Sequence, residues 1–162
     1  MTTLRKILPG MVLLASLLFM GCAGQDTGKK ENLPQVPWQA YFPTLATGEG
    51  ESKPILLHFA TSWNEGSQKM KRETYGNFDV ARYLQKNFAT GWVDTEQYPE
   101  LAKKYNVNSL PTIWFLDSDG RTLTSVNGFL GPERMWLLLE FINTKAYETM
   151  SYEAWKDRRP RP

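Results

Sequence analysis

Six consecutive residues, Trp63-Asn64-Glu65-Gly66-Ser67-Gln68, follow a short apolar run and bring together an indole, two amides, a carboxylate and a hydroxyl. Ser67 is the group's natural nucleophile, and a hydroxyl serves as one only when a base takes its proton. The chain's single histidine, His58, lies upstream in the apolar run and is the one imidazole that could accept it. A lone histidine in such a run is more often a buried neutral ring, and no acid lies nearby in sequence to orient it. His58 is therefore a proton-transfer candidate only through Ser67. Asn64, Glu65, Gly66 and Ser67 also meet the needs of a helix start, where Asn and Ser cap free N–H groups and Glu favours the positive end of the dipole. The same N–H groups with the Ser67 hydroxyl form a possible anion or carbonyl acceptor.

Other chemistries have less to work with. One histidine, His58, and one cysteine, Cys22, do not make a zinc set. Asp117-Ser118-Asp119-Gly120 has the composition of a tight turn rather than a calcium loop, and no glycine-rich phosphate loop follows a strand. Neither a metal nor a cofactor is expected.

Periodicity supplies the elements that must hold these residues. Ile55 to Ala60 is a continuous apolar run bounded by Pro54 and Thr61-Ser62, which suits a central strand buried on both faces. Ser62 with Glu65 forms a candidate capping box for a following helix with Met70, Thr74 and Tyr75 on one face. Asn77 can cap a second helical piece that buries Val80, Tyr83, Leu84 and Phe88. A strand from Ala89 to Val93 and a helix from Pro99 to Tyr105 come next. Thr112 to Leu116 and Thr122 to Val126 flank the Asp117–Gly120 turn as an antiparallel hairpin. Pro132 opens a last helix expected to carry Trp136, Leu139 and Phe141 or Ile142 to the core, with Trp92 and Trp114 also placed inside. The order is β-α-β-α-β-β-α. A helix within Trp38 to Ala46 is opposed by Pro43.

The N-terminus reads differently. Arg5 and Lys6 precede the apolar run Ile7 to Met20 and then Gly21-Cys22-Ala23-Gly24, the pattern of an export signal too short for a good membrane span. The small residue before Cys22 resembles a bacterial lipobox, which implies cleavage after residue 21 and lipidation of Cys22. It departs from that pattern at Phe19 and Met20. Each buried methylene of an attached acyl chain contributes about 0.8 kcal/mol to membrane anchoring. Ala23 after the cysteine, within the same resemblance, implies the outer membrane facing the periplasm in a Gram-negative cell. Residues 22–37 then form a Gly/Lys/Pro-rich tether, residues 38–146 one domain, and residues 147–162 a basic tail expected to be solvated and frayed.

Charge supports this division. Of 19 Lys and Arg against 17 Asp and Glu, Arg5 and Lys6 leave with the signal, so 19 − 2 = 17 basic residues balance 17 acidic ones. A balanced chain with dispersed charge carries no electrostatic footprint for nucleic acid.

The window Lys53 to Met70, the element order and several landmarks together resemble the thioredoxin-like superfamily over about Trp38 to Ile142. Members read W-C-x-x-C-K where this chain reads Trp63-Asn64-Glu65-Gly66-Ser67-Gln68, so Asn64 and Ser67 stand at both cysteine positions. Val93-Asp94 matches the end of the second strand, and Gly128 the glycine before the last helix. Leu110-Pro111-Thr112 matches the family's cis-proline, which the resemblance places opposite the active-site turn with the backbone of Leu110 exposed. His58 takes the position of the family's buried acid. Among subgroups, Trp38-Gln39-Ala40-Tyr41-Phe42 and the K-P-I-L-L strand look most like domains related to thiol–disulfide interchange proteins. The implied fold is α/β, a central mixed sheet flanked by helices.

No amide or hydroxyl forms a mixed disulfide, so the resemblance carries the fold without its dithiol chemistry. The expected function is binding of an envelope protein or extended peptide through Trp63, Asn64 to Ser67, Leu110 and Pro111. Two alternatives stay open: an enzyme or accessory in thiol–disulfide exchange that relies on a partner's cysteines, and an architectural lipoprotein without a ligand groove.

Overall fold

The computed structural model describes residues 34–159. Cys22, the signal segment and most of the tether lie outside the described residues. Four strands, β1 (Ile55–Ala60), β2 (Ala89–Asp94), β3 (Thr112–Leu116) and β4 (Thr122–Asn127), form one sheet in the order β2-β1-β3-β4. β1 runs parallel to β2 and antiparallel to β3, and β3 and β4 form the expected hairpin.

Every residue of β1 is buried, as a strand covered on both faces requires. Its alternation divides the core. Leu56 packs with Met70, Tyr75, Val80, Leu84, Ile113, Phe115, Leu139 and Ile142 on one side. Ile55, Leu57 and Phe59 pack with Tyr41, Val93, Tyr105 and Leu116 on the other. Each such large apolar side chain contributes roughly 1.5–3 kcal/mol on burial.

Helices α1 (Tyr41–Glu51) and α4 (Pro99–Lys104) serve the second layer; α3 (Phe78–Asn87), α5 (Pro132–Asn143) and Met70, directly after α2 (Glu65–Lys69), serve the first. Pro43 does not prevent α1, because it falls in the first turn, where the missing N–H would have no helical partner. The helix also runs on to Glu51, past the expected end at Ala46. α2 continues into one wide π-helical turn, Met70–Thr74, in which the Tyr75 N–H donates to the Met70 carbonyl at 2.9 Å. Asn77 caps α3 as expected, accepting from the Asp79 and Val80 N–H groups.

Both expected domain boundaries move outward. Val36 is buried, the Pro37 carbonyl accepts from Thr90 Oγ, and Gln39 bridges to Gly91 beside β2, so the tether's last residues belong to the domain. At the other end the described part of the tail, residues 147–159, is not frayed: α6 (Tyr152–Asp157) docks on α5, with the Tyr152 and Trp155 rings each 5.5 Å from Phe141. Arg159 also pairs with Glu140 of α5.

The tryptophans need a correction as well. Trp92, Trp114 and Trp136 are half-buried rather than core. Their size and their need for an N–H acceptor keep indoles at the margins, and Trp114 Nε1 donates to the Tyr105 carbonyl at 3.0 Å. In α5 the inward positions are Met135, Leu138, Leu139 and Ile142, a helical stripe that leaves Trp136 edge-on to Tyr83 at its margin.

Candidate functional site: the turn after the first strand

The chain leaves β1 through Thr61-Ser62-Trp63 and enters α2 at Asn64. Asn64, and not Ser62, is the N-cap: its Oδ1 accepts from the Ser67 N–H at 2.8 Å and from Ser67 Oγ at 2.9 Å. The expected Ser62/Glu65 capping box gives way because Glu65 is already the first helical residue. Ser67 is buried, and its hydroxyl proton is committed to Asn64. Trp63, immediately before the cap, is 65% exposed.

Gly66 brings the turn against the Leu110–Pro111 segment. A Cβ at position 66 would stand 2.8 Å from Pro111 Cδ and 3.8 Å from the Leu110 carbonyl oxygen, so only glycine permits this approach. The Leu110–Pro111 peptide is cis, Pro111 is buried and Leu110 half-buried. The structure thus brings together Trp63, Asn64 to Ser67, Leu110 and Pro111. Phe129, 38% exposed, carries Lys69 over its ring at 4.4 Å.

His58 sits behind this turn and does not join Ser67. Its Nδ1 shares a hydrogen bond with Tyr75 Oη at 3.0 Å, its Nε2 has no partner, and the Trp38, Tyr75 and Trp92 rings surround it. Burial in this box lowers the imidazole to about 3 from its ordinary 6.5, so the ring is neutral at physiological pH. Burial likewise raises the Tyr75 hydroxyl well above its usual range. A base must hold its partner's proton within hydrogen-bond reach, and here the serine's proton goes to an amide oxygen.

Sequence reasoning places Tyr75 on a buried face without identifying its hydrogen bond to His58. The missing signal is the wide turn at Met70–Thr74, which no simple period announces. Nor does the sequence announce a cleft on the other side of the turn, lined by Thr61, Ser62, Ser67, Gln68, Lys71, Arg72, Trp92 and Asp94. Among the described residues no group of three or more His, Cys, Asp or Glu is placed to hold a metal ion.

Known proteins share this fold. The chain is 29% identical over 134 residues to the thiol:disulfide interchange protein DsbD of Yersinia pestis, covering 74% of this chain and 22% of that protein. It thus spans about a fifth of the length of such curated relatives. A thioredoxin from Thermus thermophilus superposes with a TM-score of 0.63 at 21% identity, over 68% of this chain and 89% of that one. The C-terminal domain of Neisseria meningitidis DsbD in its reduced form gives 0.54 at 22% identity, over 63% and 92%. At those identities both solved structures speak to the fold alone. The thioredoxin-like domain profile matches residues 42–143, from the second residue of α1 to the last of α5, and the chain belongs to that family.

Proposed function

We propose that this protein is an exported, lipid-tethered thioredoxin-like domain that binds an extended segment of an envelope protein through the surface around Trp63, Asn64 to Ser67, Leu110 and Pro111, without redox chemistry of its own. The observation that carries this reading is the exposed Trp63 indole beside a turn closed by Asn64 and Ser67, residues that form no mixed disulfide. A large exposed ring on the turn that meets the Leu110–Pro111 segment is the kind of anchor that protein partners use. Similarity to a thiol:disulfide interchange protein supports the envelope as the place of work, and Cys22 after an apolar run supports the lipid tether.

Capture from a native envelope extract, with identification of the bound protein, tests the surface. Trp63→Ala and Leu110→Asp are expected to abolish capture, the first at nearly unchanged thermal stability and the second with some loss because Leu110 packs partly against the core, whereas Arg158→Ala at an exposed position after α6 leaves capture intact. Capture that survives both surface changes and vanishes with Arg158→Ala would move the function to the C-terminus. The wild-type protein is expected to leave insulin disulfides unreduced. The double variant Asn64→Cys/Ser67→Cys should form an intramolecular disulfide under mild oxidation, and its failure to do so would reject the alignment of the turn. Cys22→Ser is expected to release the protein from membranes, and a free Cys22 thiol in the processed chain would end the lipoprotein reading.

A further inference from the structure

The Asn64–Ser67 turn has two sides. Gly66 faces Pro111, while Ser67 faces the cleft next to β2. That cleft, about 460 Å³, lies at the carboxyl ends of β1 and β2, the sheet's parallel pair. Crevices at the carboxyl ends of parallel strands are where open α/β sheets take ligands, and roughly 300–1,000 Å³ is the size that small molecules occupy.

Its lining has unused hydrogen-bonding capacity of both signs. Thr61 is 1% exposed, and its Oγ has no partner in the chain. An unsatisfied buried hydroxyl in a native fold calls for an occupant such as water or a ligand. Ser67 Oγ donates to Asn64, and Gln68 Nε2 donates to the Ser62 carbonyl at 2.7 Å, which leaves the serine lone pairs and Gln68 Oε1 to accept. Asp94 Oδ1 accepts from the Glu96 and Gln97 N–H groups and leaves its second oxygen over. Lys71 and Arg72 belong to none of the ion pairs among the described residues. Two cations against Asp94 leave one positive charge in excess. A bare anion would answer the cations and leave Asp94, Gln68 and Ser67 facing it with acceptors.

We infer that the cleft binds a small carboxylate that also carries hydrogen-bond donors, as α-amino and α-hydroxy acids do. The carboxylate sits toward Lys71 and Arg72, the donor group toward Asp94 and Ser67, and the Trp92 indole forms a wall. This site shares Ser67 with the proposed partner surface but opens beside β2, where the partner surface faces Pro111.

The test uses three near-isosteric probes, L-alanine, L-lactate and propionate, titrated into the ¹⁵N-labelled full chain and followed by NMR. Saturable shifts are expected at the Thr61, Ser67 and Gln68 amides and the Trp92 indole N–H with alanine or lactate. The stronger of the two identifies the donor as ammonium or hydroxyl. Propionate, and either better probe on the Lys71→Ala/Arg72→Ala variant, should bind about tenfold more weakly. Thr61→Val, which removes a hydroxyl with no partner in the fold, should stay folded and also bind more weakly. Equal binding of propionate would mean an adventitious ion only. That result, no saturable shift with alanine or lactate, or unchanged binding by the double variant would each overturn the inference.

Discussion

Two turns of this chain are closed in the same way and leave different things exposed. The Asn64 amide oxygen gathers the Ser67 N–H and hydroxyl, and the Asp117 carboxylate gathers the Asp119 N–H, the Arg121 N–H and Arg121 Nε. Each is a short polar side chain satisfying a bend of the backbone. The hairpin turn presents Asp119 and Arg121 to water, paired with each other, and a charged exposed pair of this kind contributes little. The first turn presents Trp63 and lies beside a cleft with unspent donors and acceptors. Closing a turn thus says little about its use; the difference lies in whether the exposed groups are already satisfied.

Acid should separate the two regions most strongly. His58, behind the first turn, takes its proton near 6.5 in the unfolded chain and at about 3 in the folded one, because burial opposes the charge. Between those values the unfolded chain binds more protons, so the stability from a neutral His58 is complete above about pH 6.5 and falls with pH. The slope is up to about 1.4 kcal/mol per pH unit, read by urea denaturation from about pH 7 to pH 4. His58→Leu is expected to flatten the profile whatever its absolute stability. An unchanged slope in that variant would place the titrating group elsewhere.

Alanine at the two turn glycines should fail for different reasons. Gly66→Ala meets Pro111 Cδ at 2.8 Å and is expected to cost about 1–3 kcal/mol as overpacking. Gly120 has open space, Leu45 Cδ2 being 3.8 Å away, but a φ of +81°, so Gly120→Ala costs about 1 kcal/mol through the backbone. Asn, which tolerates a left-handed backbone, should rescue position 120 and worsen position 66. Thermal melts of the four variants decide it, and rescue at position 66 would contradict the close approach.

Removing the cap with Asn64→Ala should cost about 1 kcal/mol in chemical denaturation. If Asn64→Ser restores most of it, the cap rather than the amide's bulk is what matters. The smallest effect belongs to Asp117. Burial alone would raise its carboxyl, but hydrogen bonds and charge from Arg121 outweigh that and hold it below the ordinary range. Its contribution is therefore present above the unfolded carboxylate value near 3.9 and lost as pH falls through the lowered folded one. Because Arg121 is exposed, Asp117→Asn should change stability at pH 7 by only a few tenths of a kcal/mol, and a larger change would make this turn a structural anchor.

The sheet is legible in the sequence because β1, β2, β3 and β4 are short runs between strong breakers, and the hairpin's Asp-Ser-Asp-Gly leaves little choice of connection. The exposed Trp63 turn and its Leu110–Pro111 neighbour are legible through family resemblance, since no local pattern brings residues so far apart in sequence together. The docking of α6 is hidden because Tyr152 and Trp155 form too short a stripe among charges to announce burial. The cleft escapes a sequence reading because it depends on which hydrogen bonds Ser67 and Gln68 have already spent, a property of assembled atoms.

The wide turn at Met70–Thr74 makes this architecture sensitive to chain length at one place. A π turn holds one residue more than an α turn, so it works as an insertion absorbed within the helix instead of looped out. Adding a second residue between positions 70 and 74, where the wide turn has already absorbed one, would rotate the C-terminal part of the helix by about 100° relative to its N-terminal part, carrying the Tyr75 hydroxyl off His58. Thr74, which donates to the Leu130 carbonyl at 2.5 Å and ties this helix to the loop before α5, would turn with it. Length variation across the family is therefore easier to accept in the exposed hairpin than here, where a single codon would uncouple the helix from the strand beneath it.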